Sequence, residues 1–121
     1  MNVSEFLKAT DVAERIAIRP VIICRDGFAI SVQASFVHQS QRCKNSHEYG
    51  TVEIATNKME SKLEPFKTEY QNIFGYVPIE FVDDIIDKHG GMDVDMTFHT
   101  IIKSNNLRFI EHKRRYKGMM I

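Results

Sequence analysis

The residues best suited to chemistry in this sequence are arginines that lie near aromatic and asparagine side chains. The candidate ligand-binding set has six members: Arg25, Phe28, Tyr76, Asn105, Asn106 and Arg108. A guanidinium group matches phosphate oxygens, an aromatic ring stacks on a nucleobase, and an asparagine amide can read an adenine edge. The set therefore predicts a site for a nucleotide-like ligand. The competing interpretation makes Phe28 a core residue and Arg25 a solvated charge at the end of a hairpin.

Cysteine and histidine residues show no metal-binding pattern. His38, Cys43 and His47 fall within one short stretch, and Cys24 is the only other cysteine. This spacing matches no zinc motif, so loop histidines and a buried thiol are the better interpretation. We therefore expect no bound metal.

No catalytic motif is present either. The sequence lacks a glycine-rich phosphate loop, a nucleophile elbow and paired zinc histidines. His99 and His112 have the residue type of an acid–base pair, but such catalysis needs a geometry that spacing alone does not establish. The expectation is a binding protein without cofactor rather than an enzyme.

Charge is balanced over the chain but uneven along it. Sixteen basic and sixteen acidic residues give no net charge, so no global attraction to nucleic acid or membranes is expected. Residues 79–95 carry six acids against Lys88, a local charge of −5, and residues 103–117 carry six bases against Glu111, a charge of +5. The two segments either attract each other, within one chain or between copies in a homo-oligomer, or form separate solvated faces.

Length and hydropathy indicate one globular domain. The 121 residues, 43% of them hydrophobic, suit a single core. The expected division is an N-terminal helix at 1–18, a sheet and helix at 20–91, and a C-terminal extension at 92–121. There is no apolar run of membrane-spanning length and no signal-peptide pattern at the N-terminus, so we expect a cytoplasmic protein with reduced thiols.

The clearest local signal is a β-hairpin. Asp26-Gly27 lies between two strand-like runs and predicts a two-residue type I′ turn, with Arg25 opposite Phe28 and Ile23 opposite Ile30. The second strand alternates, which predicts an apolar face that is made of Phe28, Ile30, Val32, Ala34 and Phe36.

Other elements follow from periodicity and capping. Ser4 is the expected cap of a first helix that runs to about Ile16. Residues 38–50 have the composition of a loop, 49–56 of a strand with Val52 and Ile54 inward, and 57–72 of an irregular segment with room for a helical turn. Pro78 and Gly90-Gly91 bracket an amphipathic helix.

The C-terminal part is less uniform. Residues 93–103 fit a helix capped by Asp93 slightly better than a strand, and residues 107–110 are expected to form a last strand. The whole pattern predicts an α+β fold: a small, mainly antiparallel sheet with an N-terminal helix and one or two packed helices.

Three stretches resemble a group of small proteins encoded by phages and prophages. They are ICRDGFAISVQAS at 23–35, TVEIA at 51–55 and FGYVPIEFVDDIIDKHGG at 74–91. In that group a Cys-x-Asp-Gly-Phe hairpin precedes a Ser-Val-Gln-Ala-Ser strand, and a Tyr-Gly-Tyr-Val-Pro segment leads a helix that ends in His-Gly-Gly. Here Phe74 replaces the first tyrosine, and the chain continues well past Gly91.

Within this group the sequence is similar to the anti-Thoeris sponge proteins of phages. Those oligomers sequester cyclic ADP-ribose isomers, and some also trap cyclic oligonucleotides, without catalysis. The resemblance implies a phage anti-defence protein that binds a nucleotide immune signal as a homo-oligomer in the host cytoplasm. It assigns no ligand residue here; the six candidates above come from their side-chain chemistry.

Two other functions compete with this hypothesis. A protein-binding inhibitor, such as an anti-CRISPR or host-takeover factor, would present the acidic helix at 79–89 to a basic partner. A small hydrolase would use His99 or His112, but no catalytic motif supports it. Because electrostatic steering depends on the summed field, the neutral whole chain favours the nucleotide-binding hypothesis over nucleic-acid mimicry.

Overall fold

Five short segments of the described residues pair into an antiparallel sheet. The computed structural model of the chain describes residues 1–11, 18–35, 38–44 and 48–98. The strands are β1 (Ile22–Ile23), β2 (Ala29–Gln33), β3 (Gln41–Arg42), β4 (Tyr49–Thr56) and β5 (Ile73–Pro78). The helices are α1 (Val3–Ala9), a 3₁₀ helix (Ser61–Phe66) and α2 (Ile79–Lys88). The predicted α+β class, a small antiparallel sheet with an N-terminal helix and packed helices, is confirmed.

Strand β4 is the centre of the sheet. It pairs antiparallel with β2, β3 and β5, while β1 pairs with β2 alone. Thr51 partners Gln41 of β3 and Pro78 of β5, and Ile54 partners Val32 of β2 as well as a residue of β5. Because a strand residue has one neighbour on each side, β2 and β3 lie along one edge of β4 and β5 lies along the other.

The core lies between the inner face of this sheet and the two α-helices. The predicted alternation on the second strand is confirmed for the described residues, since Phe28, Ile30, Val32 and Ala34 are all buried; Phe36 lies outside the described residues. Val52 and Ile54 are buried as predicted. The helices contribute Val3, Phe6 and Leu7 from α1 and Ile79, Val82, Ile85 and Ile86 from α2.

The first helix differs from the prediction at both ends. Its N-cap is Asn2, not Ser4: the Asn2 side chain accepts a hydrogen bond from Glu5 N, and the Glu5 carboxylate accepts one from Asn2 N, both at 2.9 Å. This reciprocal capping box satisfies two N–H groups, which a cap at Ser4 would not do. The helix ends at Ala9, so a continuous helix to Ile16 is wrong. Residues 12–17 lie outside the described ranges.

The hairpin exists, but its turn is one residue longer than predicted. Gly27 N donates to Cys24 O and Cys24 N donates to Phe28 O, which leaves a three-residue loop, Arg25-Asp26-Gly27. Gly27 has a positive φ of 92° and Asp26 does not, whereas a type I′ turn needs both. The Asp26 carboxylate instead accepts from Phe28 N at 2.8 Å, an interaction that stabilises the longer loop.

This extra residue shifts the register of β1 by one position. Ile22 pairs with Ile30 and Ile23 with Ala29, so the predicted pairings of Ile23 with Ile30 and of Arg25 with Phe28 are wrong. A one-residue slip exchanges the faces of a strand. Ile22 and Cys24 therefore point into the core, and Arg25 belongs to the exposed loop.

The second helix and the segment after it agree with the prediction. Pro78, predicted as the first helical residue, is the N-cap of α2, and the helix begins one position later at Ile79. Gly90 and Gly91 follow it, both with positive φ near 90° (90° and 87°). Residues 94–98 are helical, and the Asp93 carboxylate accepts from Met96 N at 2.9 Å, which confirms Asp93 as a cap over this range. The strand predicted at 107–110 lies outside the described residues.

Two segments expected to be irregular contain regular structure. The predicted loop at 38–50 includes β3, because the exposed, polar Gln41 and Arg42 pair with β4 despite lacking an apolar face. The strand predicted at 49–56 is β4. The helical turn expected within 57–72 is the 3₁₀ helix.

Candidate ligand-binding site

The hairpin loop lies against the C-terminal end of α2. Arg25 N donates to Gly91 O at 3.0 Å, and Asp26 N donates to His89 O at 3.3 Å. The Arg25 guanidinium also donates to Gly90 O at 2.7 Å. Cationic donors at this position satisfy carbonyls that a helix end leaves free and interact favourably with the helix dipole. Arg25 is thus exposed but already has a structural contact.

The Phe28 ring lies beneath His89. Its exposure is 2%, and the two rings stack with centroids 3.9 Å apart and planes 5° from parallel. A ligand base cannot stack on a ring face that His89 covers. Phe28 is therefore placed as a core residue, the competing interpretation for this side chain.

His89 is held between two carboxylates. Its Nδ1 lies 2.6 Å from Asp26 Oδ2, a short hydrogen-bonded contact. Its Nε2 is buried and lies 3.5 Å from Glu60 Oε2, a distance too long for a good hydrogen bond. Lys88 Nζ reaches the same Glu60 oxygen at 3.3 Å. The cluster joins the hairpin loop, the segment before the 3₁₀ helix and α2.

Both carboxyl groups of this cluster have lowered pKa values. The hydrogen bond from Phe28 N–H makes the larger contribution to the lowered pKa of Asp26, and the hydrogen bond to the His89 ring makes the next. Burial alone would raise the pKa of Glu60, but hydrogen bonds from Lys62 N and Lys88, together with the Lys88 charge and the nearby His89 ring, outweigh it and lower that pKa. The ionised forms are therefore preferred in the folded protein.

We expect the free energy of unfolding to fall with acidification, below about pH 4, near the ordinary pKa values of Asp and Glu. A carboxyl group with a lowered folded-state pKa stabilises the fold above its unfolded pKa, and this contribution is lost as the pH falls through the folded-state value. Thermal melting from neutral pH to acid measures the fall. Asp26→Asn is the matched variant, because its amide oxygen still accepts from Phe28 N while its charge is gone; its melting should depend less on pH. Identical pH profiles for the two proteins would contradict this role of Asp26.

An open groove lies beside strand β5. Its volume is about 370 Å³, and its lining includes Gln39, Phe66, Lys67, Thr68, Gly75 and Tyr76. The groove is largely open to the solvent and is a shallow surface feature, not an enclosed cavity. The Tyr76 side chain is 54% exposed, so its ring is accessible from the solvent.

The backbone around Tyr76 is unusual. Tyr76 has a positive φ of 54°, and its N–H donates to Gln39 O at 2.9 Å. The pairing of β4 with β5 shifts register between Val52 and Ile54, at the position of Gly75 and Tyr76. A Cβ at Gly75 would overlap the Gln39 side-chain amide, so a larger residue here would require the Gln39 side chain to move. The surrounding contacts thus hold Tyr76 in a conformation that a non-glycine residue rarely adopts.

The structure describes only three of the six candidate ligand-binding residues. Arg25 lies at the end of α2 and does not line the groove, Phe28 is in the core, and Tyr76 is on the groove wall. Asn105, Asn106 and Arg108 lie outside the described residues, as do His47, His99 and His112.

Sequence reasoning missed the groove partners of Tyr76 and the His89 cluster. The groove residues come from segments that the sequence marks only as polar or irregular. The cluster did have a signal, because the Asp-Gly-Phe and Lys-His-Gly-Gly stretches quoted above contact each other in the fold.

The cysteines differ in environment. Cys24 is buried and Cys43 exposed. Burial, together with the nearby Asp26 carboxylate, raises the pKa of Cys24 to about 11, so this thiol is protonated at neutral pH and is a poor nucleophile. Across the described ranges, no three His, Cys, Asp or Glu side chains are grouped closely enough to hold a metal ion.

The acidic stretch is partly used inside the fold. The Asp83 carboxylate accepts from Val3 N at 2.8 Å and so ties α2 to the start of α1, and Asp93 caps the helical residues 94–98. Burial, and then the neighbouring acids, raise the pKa of Asp83 despite this bond. Glu80, Asp84 and Asp87 remain exposed on α2. The basic stretch at 103–117 lies outside the described residues.

The described residues thus define a small α+β protein with a surface groove and a hairpin joined to a helix end. Comparison of the chain with family models, with curated proteins and with solved structures found no match. None of the helices within the described ranges has the length and apolar run needed to cross a bilayer.

Proposed function

We propose that this protein binds and sequesters a nucleotide immune signal, a cyclic ADP-ribose isomer or a cyclic oligonucleotide, without catalysis. In this proposal it is a phage anti-defence protein that acts as a homo-oligomer in the host cytoplasm. The observation that carries the proposal is Tyr76, an exposed tyrosine that lines an open groove. Aromatic platforms of this kind stack on bases of any sequence.

One feature of the described residues supports binding rather than turnover. A nucleophile needs access to the substrate atom with which it reacts. The Cys24 thiol is buried with a raised pKa, so it does not offer that access.

Calorimetry with a panel of cyclic nucleotides and cyclic ADP-ribose isomers tests the proposal. Arg108→Ala should weaken binding about ten-fold or more, because a charge-assisted hydrogen bond contributes about 1.5–3 kcal/mol. Arg42→Ala is the matched control: it removes the same charge from an exposed strand, where the guanidinium lies over the Tyr49 ring. Ligand recovered intact after denaturation would support sequestration, and conversion of the ligand would contradict it.

Native mass spectrometry of the protein from cells that make nucleotide signals gives a second readout. It reports the number of subunits and any retained small molecule together. A monomer at micromolar concentration would refute the homo-oligomer.

The second candidate is a protein-binding inhibitor. The exposed Glu80, Asp84 and Asp87 follow helical spacing and form an acidic stripe on α2, which suits a basic partner. With Asp83 and Asp93 engaged inside the fold, this stripe is smaller than the sequence total implies. No heat with any nucleotide, together with a specific partner that Glu80→Lys fails to capture, would favour the inhibitor.

A further inference from the structure

The groove beside β5 has a lining with two kinds of surface. Pro65, Phe66 and the Tyr76 ring supply apolar contact, while Gln39 and Thr68 supply hydrogen-bonding groups. Ligand sites are commonly apolar with a few placed polar groups that fix orientation. A planar, heteroaromatic ring matches such a lining because its faces are apolar and its edges carry donors and acceptors.

Several lining groups are held in place by the fold. Phe66 packs edge-on against Phe81, with ring centroids 5.3 Å apart. The Thr68 hydroxyl lies 2.8 Å from Ile73 O, to which it donates, and accepts from Tyr70 N at 3.1 Å. Groups already fixed before binding lose little conformational entropy when a ligand arrives.

Charge in the groove does not favour a phosphate. Lys67 is the cation of the lining, but its Nζ lies 2.8 Å from a Glu64 carboxylate oxygen. Glu69 lines the groove as well and is a second acid near Lys67. A phosphate placed here would meet one cation and two carboxylates, so the electrostatic gain of binding an anion is small.

We propose that this groove is a nucleobase site, in which the base stacks on Tyr76 and the sugar and phosphates of the ligand lie outside. The nucleobase site rests on the proposed function only in its choice of nucleotides as the ligand class. It deepens that function by stating which part of a nucleotide the groove recognises. Gln39 and Thr68 line the groove, and the edge of the base would meet the Gln39 amide and the Thr68 hydroxyl, which can only accept because its proton is donated to Ile73 O.

The test compares fragments of one nucleotide. Binding of adenosine, guanosine, cytidine, uridine, AMP and ribose 5-phosphate to the full chain is measured by calorimetry or ligand-observed NMR. We expect at least one nucleoside to bind and ribose 5-phosphate not to bind. If adenosine binds, AMP should bind no more than about three-fold more tightly than adenosine. Since a stacked base is worth about 1–3 kcal/mol, loss of the ring should weaken nucleoside binding by about five-fold or more.

Tyr76→Asn is the informative variant. Asparagine tolerates the positive φ of Tyr76 better than most residues, so the backbone is kept while the ring is lost. Tyr76→Phe should retain binding because it keeps the ring. Tyr70→Ala is the matched control, since Tyr70 is 60% exposed nearby but does not line the groove. Thermal melting of each variant establishes that the fold is retained.

The outcomes separate this inference from the proposed function. Three results would overturn the nucleobase site. They are unchanged nucleoside binding by a folded Tyr76→Asn protein, binding of ribose 5-phosphate as tight as that of AMP, and no nucleoside binding at all. If an intact cyclic signal binds and Tyr76→Asn does not weaken it, the proposed function stands and the site is elsewhere. If nucleosides bind at Tyr76 but no cyclic signal binds, the nucleobase site stands and the proposed function fails.

Discussion

Replacing Phe28 by alanine is expected to lower the free energy of unfolding by about 3–5 kcal/mol, the usual cost of deleting a buried phenyl ring. Phe28 is 2% exposed, and its ring also stacks on His89. Small domains are stable by only about 5–15 kcal/mol, so the variant should be only marginally folded. Urea unfolding, followed by circular dichroism, measures the change.

His89→Ala is the control for this effect. It leaves the phenyl ring in place but removes the stacked partner, worth about 0.5–1.5 kcal/mol beyond its buried area, and the hydrogen bond to Asp26, worth about 0.5–1.5 kcal/mol. Their sum of about 1–3 kcal/mol lies below the loss expected for Phe28→Ala. A Phe28→Ala protein that keeps its stability but no longer binds nucleotides would instead support the sequence-based role of Phe28 in the ligand site.

Replacing Gln33 by leucine should destabilise the protein by leaving two buried backbone groups unpaired. The Gln33 amide oxygen accepts from Arg19 N at 2.8 Å, and its amide nitrogen donates to Arg19 O at 3.0 Å. Gln33 is 6% exposed and Arg19 7%, so water cannot readily replace these bonds. An unsatisfied buried polar group costs about 1–3 kcal/mol, and the total is therefore about 2–6 kcal/mol.

The effect should extend to the position of Arg19. Its guanidinium donates to Ala34 O at 2.6 Å and to the Thr10 hydroxyl at 2.9 Å, which joins the end of α1 to β2. Burial lowers the pKa of Arg19, and Asp11 partly opposes this. Ser31→Ala is the control: it removes only one further bond of the Gln33 amide, so its cost should be about 0.5–1.5 kcal/mol. Equal denaturation midpoints for Gln33→Leu and wild type would contradict the account.

Elements with strong local patterns were predictable. Residues 28–34 alternate cleanly, and the buried set on that face matches the structure. The second helix follows from its apolar stripe between Pro78 and the two glycines. In these segments a single period of hydrophobicity fits only one secondary structure, so local reasoning succeeds.

The hairpin turn shows where local reasoning ends. Asp-Gly is the usual signal of a two-residue turn, yet here Arg25 and Asp26 donate backbone hydrogen bonds to Gly91 and His89. These partners are more than sixty residues away in sequence, and they favour the longer loop. The one-residue change of register then separated Arg25 from Phe28, which the sequence-based site had placed side by side.

The sequence by itself determined the α+β class, the inner face of β2 and the extent of α2, because these depend on periodicity within one segment. Only the tertiary structure decided that Phe28 is covered by His89 and that Gln39 reaches the β5 bulge to form the groove at Tyr76. Those contacts join segments far apart in the chain. Their geometry depends on how the sheet, the hairpin loop and α2 pack together, and no local pattern of residue types encodes that packing.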